Sequence, residues 1–314
     1  MKKRLFVLVL ALAVVFTFSA VPGFAASKHV VQVSEKTYNI DENGKEEFSN
    51  SWKDTYKNGK MVGYTSKYVD FNYEWDEETG ESIETKEVTE YENTYKYKNG
   101  RHTATYVKEN GKKSKKTVFT YKNKKLSKIT SYNYKNGKYV TDYTAKYTYG
   151  KNKETVLYTY KNNPLYKTLK EVTTLDSKGR TKTIVSYEDG KKAYTQKYEY
   201  HSNGSLAKTT YKSTDGSYSS VDTYNKKGLL TKEVSTYEDS KSVNEYKYYT
   251  SGLTKQRIET YTYKDYEGNE QTEVTKYTYK YSNYYGSGKK YPKTVKIYRN
   301  GEYYQKETRG YKKI

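Results

Sequence analysis

The 314-residue sequence contains no cysteine. Its absence excludes disulfide staples, thiolate zinc sites, thiol catalysis and a lipid-modified cysteine. An exported chain built without cysteine fits a Gram-positive-type envelope. Proline is nearly missing, with three residues, and tryptophan is limited to Trp52 and Trp75. The only histidines are His29, His102 and His201. Isolated in sequence, they offer no metal or acid–base set and read as surface residues. No Gly-x-Ser-x-Gly elbow occurs. Gly286-Ser-Gly-Lys-Lys290 lacks the leading glycine of a phosphate loop and the Ser or Thr that would hold magnesium. No catalytic, cofactor-binding or metal residue is therefore assigned, and neither an enzyme nor a cofactor is expected.

Long apolar runs are also scarce. One, from Leu5 to Phe18, follows Met1-Lys-Lys-Arg4 and precedes Val21-Pro-Gly-Phe-Ala25. A basic start, a short apolar core and small residues before the cut describe a secretory signal peptide, residues 1–25. No second run follows, so no transmembrane span is expected after cleavage, and the product is secreted or held at the cell surface.

Charge is abundant and unevenly placed. The chain is formally +21. Residues 26–93 hold 8 lysines against 16 acids, whereas residues 94–314 hold 47 basic against 21 acidic residues. The sequence thus divides into an acidic N-terminal β segment, 26–93, and a basic tyrosine-rich repeat region, 94–314, continuous with it. Opposite charges on the two segments imply self-association as one outcome. Outside a cell, a basic surface meets anionic wall polymer and acidic polysaccharide, and export makes nucleic acid the poorer candidate. Asp76, Glu77, Glu78, Glu81, Glu84, Glu87, Glu90 and Glu92 read as a solvated acidic hairpin, because the twelve-position calcium loop is absent.

Mean hydropathy is −1.15. Low hydropathy with high charge is a signature of disorder, but the residue spacing indicates order. Asn99-Gly100, Asn110-Gly111, Asn136-Gly137, Asp189-Gly190, Asn203-Gly204, Asp215-Gly216 and Asn300-Gly301 suit two-residue hairpin turns, since both residues tolerate positive φ. Between such points run segments of Tyr, Thr and Val with period-two alternation. The pattern predicts an all-β, antiparallel up-and-down meander of repeated hairpins, forming an extended, coiled or partly closed sheet.

Two strands make a repeat of about 25 residues, and each unit completes its buried surface only on its neighbours. "YNKKGLLTKEV" from Tyr224, "LDSKGRTKTIV" from Leu175 and "YHSNGSLAKTT" from Tyr200 share an aromatic or apolar start, polar residues, glycine and then a strand. Over residues 94–281 these units resemble the YD repeats of Rhs-type and wall-associated bacterial proteins. "YKNGK" at Tyr56 and Tyr134 is similar to MORN-type repeats. The YD resemblance implies a sheet that coils as repeats are added, sometimes into a shell around cargo. The Tyr-Asp dipeptide itself is replaced here by Tyr-Asn, Leu-Asp or Tyr-His.

Tyrosine is what the sequence has most conspicuously, 43 residues in all. Alternating sets such as Tyr277, Tyr279 and Tyr281 place rings on one strand face and the intervening Lys and Thr on the other. Tyr198, Tyr200, Tyr246, Tyr248, Tyr261, Tyr263, Tyr277, Tyr279 and Tyr281 form the candidate ligand surface, suited to stacking on sugar rings. Two functions are consistent with it. One is non-enzymatic binding of anionic wall polymer or polysaccharide. The other is a structural or self-assembling spacer without a small ligand.

Overall fold

Asparagine and glycine decide where this chain reverses. Asn58-Gly59, Asn99-Gly100, Asn110-Gly111, Asn136-Gly137, Asp189-Gly190 and Asn300-Gly301 each carry positive φ at both residues, 44–52° at the first and 70–99° at the second. That is the type I′ geometry whose twist matches paired strands. Asn123-Lys124 adopts it too, with lysine at φ 65°. Asn203-Gly204 and Asp215-Gly216 depart from the two-residue expectation and sit in longer loops, His201–Ser205 and Thr214–Ser217. The first belongs to a second turn class of five residues. In Asp176–Arg180, Asn225–Leu229 and Asp265–Asn269 the first N–H donates to the fifth carbonyl, and the glycine at position four donates back to the first. The first Asp or Asn also accepts from the backbone N–H groups of residues three and five. The repeat motif read in the sequence is largely this loop.

The computed structural model describes residues 30–41, 43–76, 81–286 and 291–313. The signal peptide and Ser287 to Lys290 of the phosphate-loop-like run lie outside them. The strands follow in chain order. They begin with β1 (Val30–Ile40), β2 (Glu46–Lys57), β3 (Lys60–Asp76), β4 (Glu81–Lys98) and β5 (Arg101–Glu109). Next come β6 (Lys112–Lys122), β7 (Lys125–Lys135), β8 (Lys138–Tyr149), β9 (Lys153–Tyr160) and β10 (Thr168–Leu175). Then β11 (Thr181–Glu188), β12 (Lys191–Tyr200), β13 (Leu206–Ser213), β14 (Tyr218–Tyr224) and β15 (Leu230–Tyr237). The last are β16 (Ser240–Tyr248), β17 (Thr254–Lys264), β18 (Glu270–Tyr284), β19 (Pro292–Arg299) and β20 (Glu302–Lys313). β4 runs straight through the compositional boundary at residue 93.

Each strand pairs antiparallel with its sequence neighbours, and β1 also pairs with β20 from Val30↔Lys313 to Asn39↔Gln305. The expectation of an extended or partly closed sheet is therefore corrected: the 20 strands close into a barrel. Closure satisfies the two edge ladders that an open meander would leave unpaired. Side chains lock the seam. Arg309 pairs with Glu35 at 3.1 Å and with Glu307, and Lys306 pairs with Glu46 at 2.7 Å. Val295 and Ile297 on β19 and Thr37 on β1 are buried beside it. Gly310 faces Ser34 so closely that any Cβ would meet the serine hydroxyl.

Register carries one face of the sheet continuously around the ring. Tyr198 lies opposite Thr209, which lies opposite Asp222; Tyr246 lies opposite Arg257, which lies opposite Tyr277. This face holds most tyrosines, and on it Thr37, Ser66, Ile129, Ser131, Ala145, Ser186, Thr209, Val295 and Ile297 are buried. The other face presents Lys and Thr. Side chains converge inside a closed sheet and splay outside it, so the tyrosine face is the inner one.

Among the described residues the sheet has no second layer. Strand contacts run almost wholly between ladder neighbours. With strands about 4.8 Å apart, a circular section would have a backbone radius of roughly 15–20 Å, too wide for side chains to fill.

Candidate ligand surface: the tyrosine face and its rims

The nine tyrosines singled out in the sequence all lie on the inner face. Those of β16, β17 and β18 are contiguous, while Tyr198 and Tyr200 stand on β12. Tyr261 stacks on Tyr263 at 5.3 Å between centroids, and the Arg257 guanidinium lies 4.1 Å over Tyr277. Burial raises the Tyr198, Tyr277-flanking Tyr279 and Tyr281 hydroxyls above the ordinary phenol range. Tyr246 is pushed up to about 12, first by burial and then by the nearby Glu233 carboxylate, which accepts its hydroxyl at 3.4 Å.

A second ring cluster went unread in the sequence. Tyr194, Tyr211, Tyr218 and Tyr237 run across β12, β13, β14 and β15 with centroids 4.9, 5.4 and 4.8 Å apart. None of the four has another tyrosine two residues away, so no alternating pair marked it. Face parity counted from the turns was the available signal.

Several hydroxyls are already committed. In seven of the ten even-numbered strands an inner tyrosine near the strand's end reaches back to the strand before it and donates to a backbone carbonyl near that strand's start. The pairs are Tyr97 to Met61 (2.7 Å), Tyr121 to His102 (2.9 Å), Tyr149 to Leu126 (2.9 Å) and Tyr200 to Thr181 (2.8 Å). Tyr248 to Leu230 (2.6 Å), Tyr281 to Thr254 (2.8 Å) and Tyr311 to Pro292 (3.0 Å) complete the series. In four of the seven, a cation just before the accepting residue lies over the same ring: Lys60 on Tyr97, Arg101 on Tyr121, Lys125 on Tyr149 and Arg180 on Tyr200. β10 ends in Leu175, which has no hydroxyl to give. Tyr200, Tyr248 and Tyr281 therefore serve the rim as clasps and offer a ligand only their ring faces.

His102 differs from the expected surface histidine. Its ring is half-buried among Tyr95, Tyr97 and Phe119, and burial lowers its pKa. His201 is tied to the Tyr224 carbonyl at 2.8 Å.

The outer face carries lysine near the middle of many strands, among them Lys116, Lys170, Lys197, Lys232 and Lys276. Some of these pair with acids of the N-terminal segment or the repeats, as in Lys67–Glu90, Lys108–Glu92 and Lys232–Glu245. Others lie over outward tyrosines, as Lys280 does over Tyr298 at 4.4 Å. A lysine at a bilayer midplane costs about 2–4 kcal/mol. Repeated around the ring, that cost rules out this face as a lipid-facing band.

The meander sorts its turns between two rims. Every turn from an even to an odd strand lies at one rim, with the start of β1 and the end of β20. Every turn from an odd to an even strand lies at the other. Count each turn with its flanking strand residues and the terminal Lys312 and Lys313. Among the described residues, the first rim then has fifteen lysines and arginines against Asp176 alone. The second, leaving aside the β3–β4 hairpin, has nine cations and twelve acids.

No family profile and no curated protein matches the sequence. Among solved structures, the chain is similar to a porin-like protein from Bacteroides uniformis, at 11% identity and a TM-score of 0.41, over 91% of this chain and 98% of that one. It is also similar to part of the Photorhabdus luminescens Tc holotoxin pore, at 11% identity and a TM-score of 0.26, over 90% of this chain and 20% of that one.

Proposed function

We propose that this is an exported, non-enzymatic repeat protein of the bacterial surface, of YD- or MORN-like kind, that binds anionic wall polymer or polysaccharide. The observation that carries the reading is the uncovered tyrosine face: a one-layer sheet leaves rows of half-buried rings open to solvent. Rings held rigidly by their neighbours stack on sugars with little further loss of side-chain freedom. Lysines supply attraction for phosphate or carboxylate groups. The mechanism is many weak contacts, and its affinity is screened by salt. Retention of the protein on purified cell walls at low salt, lost at high salt, is the expected result. Equal recovery in the unbound fraction at every salt concentration would sink the reading.

A structural spacer or self-assembling scaffold is the second reading, favoured by the closed seam and by rings that mostly contact one another. Light scattering across concentration at low salt separates the two. Growth of the particle with concentration supports the scaffold, and a strict monomer opposes it.

A further inference from the structure

We propose that the basic rim, rather than the outer lysine face, is the docking surface for the charged groups of a linear polyanion, with phosphodiester or carboxylate groups lying along the ring of turns. The inference rests on the reading of this protein as a binder of anionic polymer.

Two independent observations carry it. The first is sorting by topology. Turns from an even to an odd strand are basic or uncharged, as in Lys122-Asn-Lys-Lys125 and Asn225-Lys-Lys-Gly228, whereas turns from an odd to an even strand are mixed, from Lys135-Asn-Gly-Lys138 to Glu238-Asp239. An antiparallel meander sends the two sets to opposite ends, so the difference becomes segregation in space. The outer face is also basic, but its lysines are spread with threonine over a wider area and partly neutralised by Glu90, Glu92 and Glu245. At the basic rim the one acid, Asp176, is consumed by Arg180 at 2.7 Å.

The second observation is preorganisation. The clasp tyrosines hold Lys60, Arg101, Lys125 and Arg180 against their rings, with cation-to-centroid distances of 5.8, 5.7, 4.7 and 4.0 Å. A cation stacked on a ring keeps its outward hydrogen-bond donors and has already given up rotamer freedom. Lys60, Arg101 and Lys125 lie two strands apart, about 10 Å around the rim, and Arg180 follows four strands further on. The shorter spacing is comparable with the Debye length at 0.1 M salt, so the fields of those three overlap. A flexible polymer can follow such a ring.

The test compares two triple variants of equal net charge. One reverses the rim (Lys122→Glu, Lys124→Glu, Lys125→Glu). The other reverses the outer face (Lys197→Glu, Lys212→Glu, Lys276→Glu). Each is titrated with poly(glycerol phosphate), with polygalacturonate and with phosphatidylglycerol vesicles. A neutral rim variant (Lys124→Gly, Lys226→Gln, Lys227→Gln) guards against a turn that simply fails to form. We expect the rim variants to lose about tenfold or more in affinity for a polymer while the face variant stays near the parent. The polymer that responds distinguishes phosphodiester from carboxylate. Equal losses in both triples would overturn the rim while leaving polymer binding intact. A parent that binds neither polymer would overturn the underlying reading, and binding to vesicles alone would replace the polymer with a membrane surface.

Discussion

At the scale of single residues, backbone conformation is the clearest determinant. Asn-Gly and Asp-Gly occupy left-handed φ at little cost, and the chain uses them at six hairpins. Lys124 is the exception at φ 65°, a conformation that costs an L-residue with a β-carbon about 1 kcal/mol or more. Lys124→Gly is therefore expected to raise the stability of the fold by about 1 kcal/mol, read as a higher urea midpoint with an unchanged m-value. A midpoint that falls would mean that the Lys124 side chain contributes more than its backbone costs. Residue types also explain the inner face. Ser186 and Ala145 are fully buried there because neighbouring tyrosines are long enough to cover them.

At the scale of elements, the hairpin with its clasp is the working unit. A β-bulge sits beside most clasp tyrosines, as between Lys96 and Tyr97, Thr120 and Tyr121, Glu199 and Tyr200, and Lys247 and Tyr248. The extra residue stands on the following strand, at Thr103, Ser127, Ala207 and Lys255, and increases the local twist beside the clasp. Tyr200→Phe removes one partly buried hydrogen bond and leaves the Thr181 carbonyl without that partner. The expected cost is about 0.5–1.5 kcal/mol by chemical denaturation. Tyr261→Phe serves as the control, because that hydroxyl has no such carbonyl, and it should leave the midpoint unchanged. Equal losses in both variants would show that clasps add nothing beyond ring packing.

This is also where sequence and structure part. Turn positions, strand alternation and the membership of the tyrosine face were legible, because each depends on residues only a few positions apart. The clasps were not, since their carbonyl acceptors are chosen by register with another strand, 19 residues away for Tyr121 and 36 for Tyr97. The Tyr194 to Tyr237 cluster was missed for a related reason. Its rings come from four strands, and no one strand shows the pattern.

At the scale of the whole molecule, stability depends on keeping many phenols neutral. Burial pushes Tyr95, Tyr147 and Tyr246 up to about 12 from 10. A raised folded-state pKa contributes stability that is fully present below the unfolded pKa and lost as pH rises through the folded one. The barrel is thus expected to hold to about pH 10 and to lose stability between pH 10 and 12. Tyrosinate absorbance and far-ultraviolet circular dichroism should change together across that window. Full ionisation of the tyrosines near pH 10 with the β signal intact would show that the inner face is freely hydrated.

The sequence by itself determined where the chain turns, that the segments between are strands, and which residues share a face. Those properties follow from local φ preference and from the two-residue period of a pleat. Only the tertiary structure decided that the meander closes, because pairing β1 with β20 joins residues more than 260 positions apart through main-chain groups that any side chain can present. Closure and strand direction together then gather the basic turns at one rim and leave a charge-balanced set at the other.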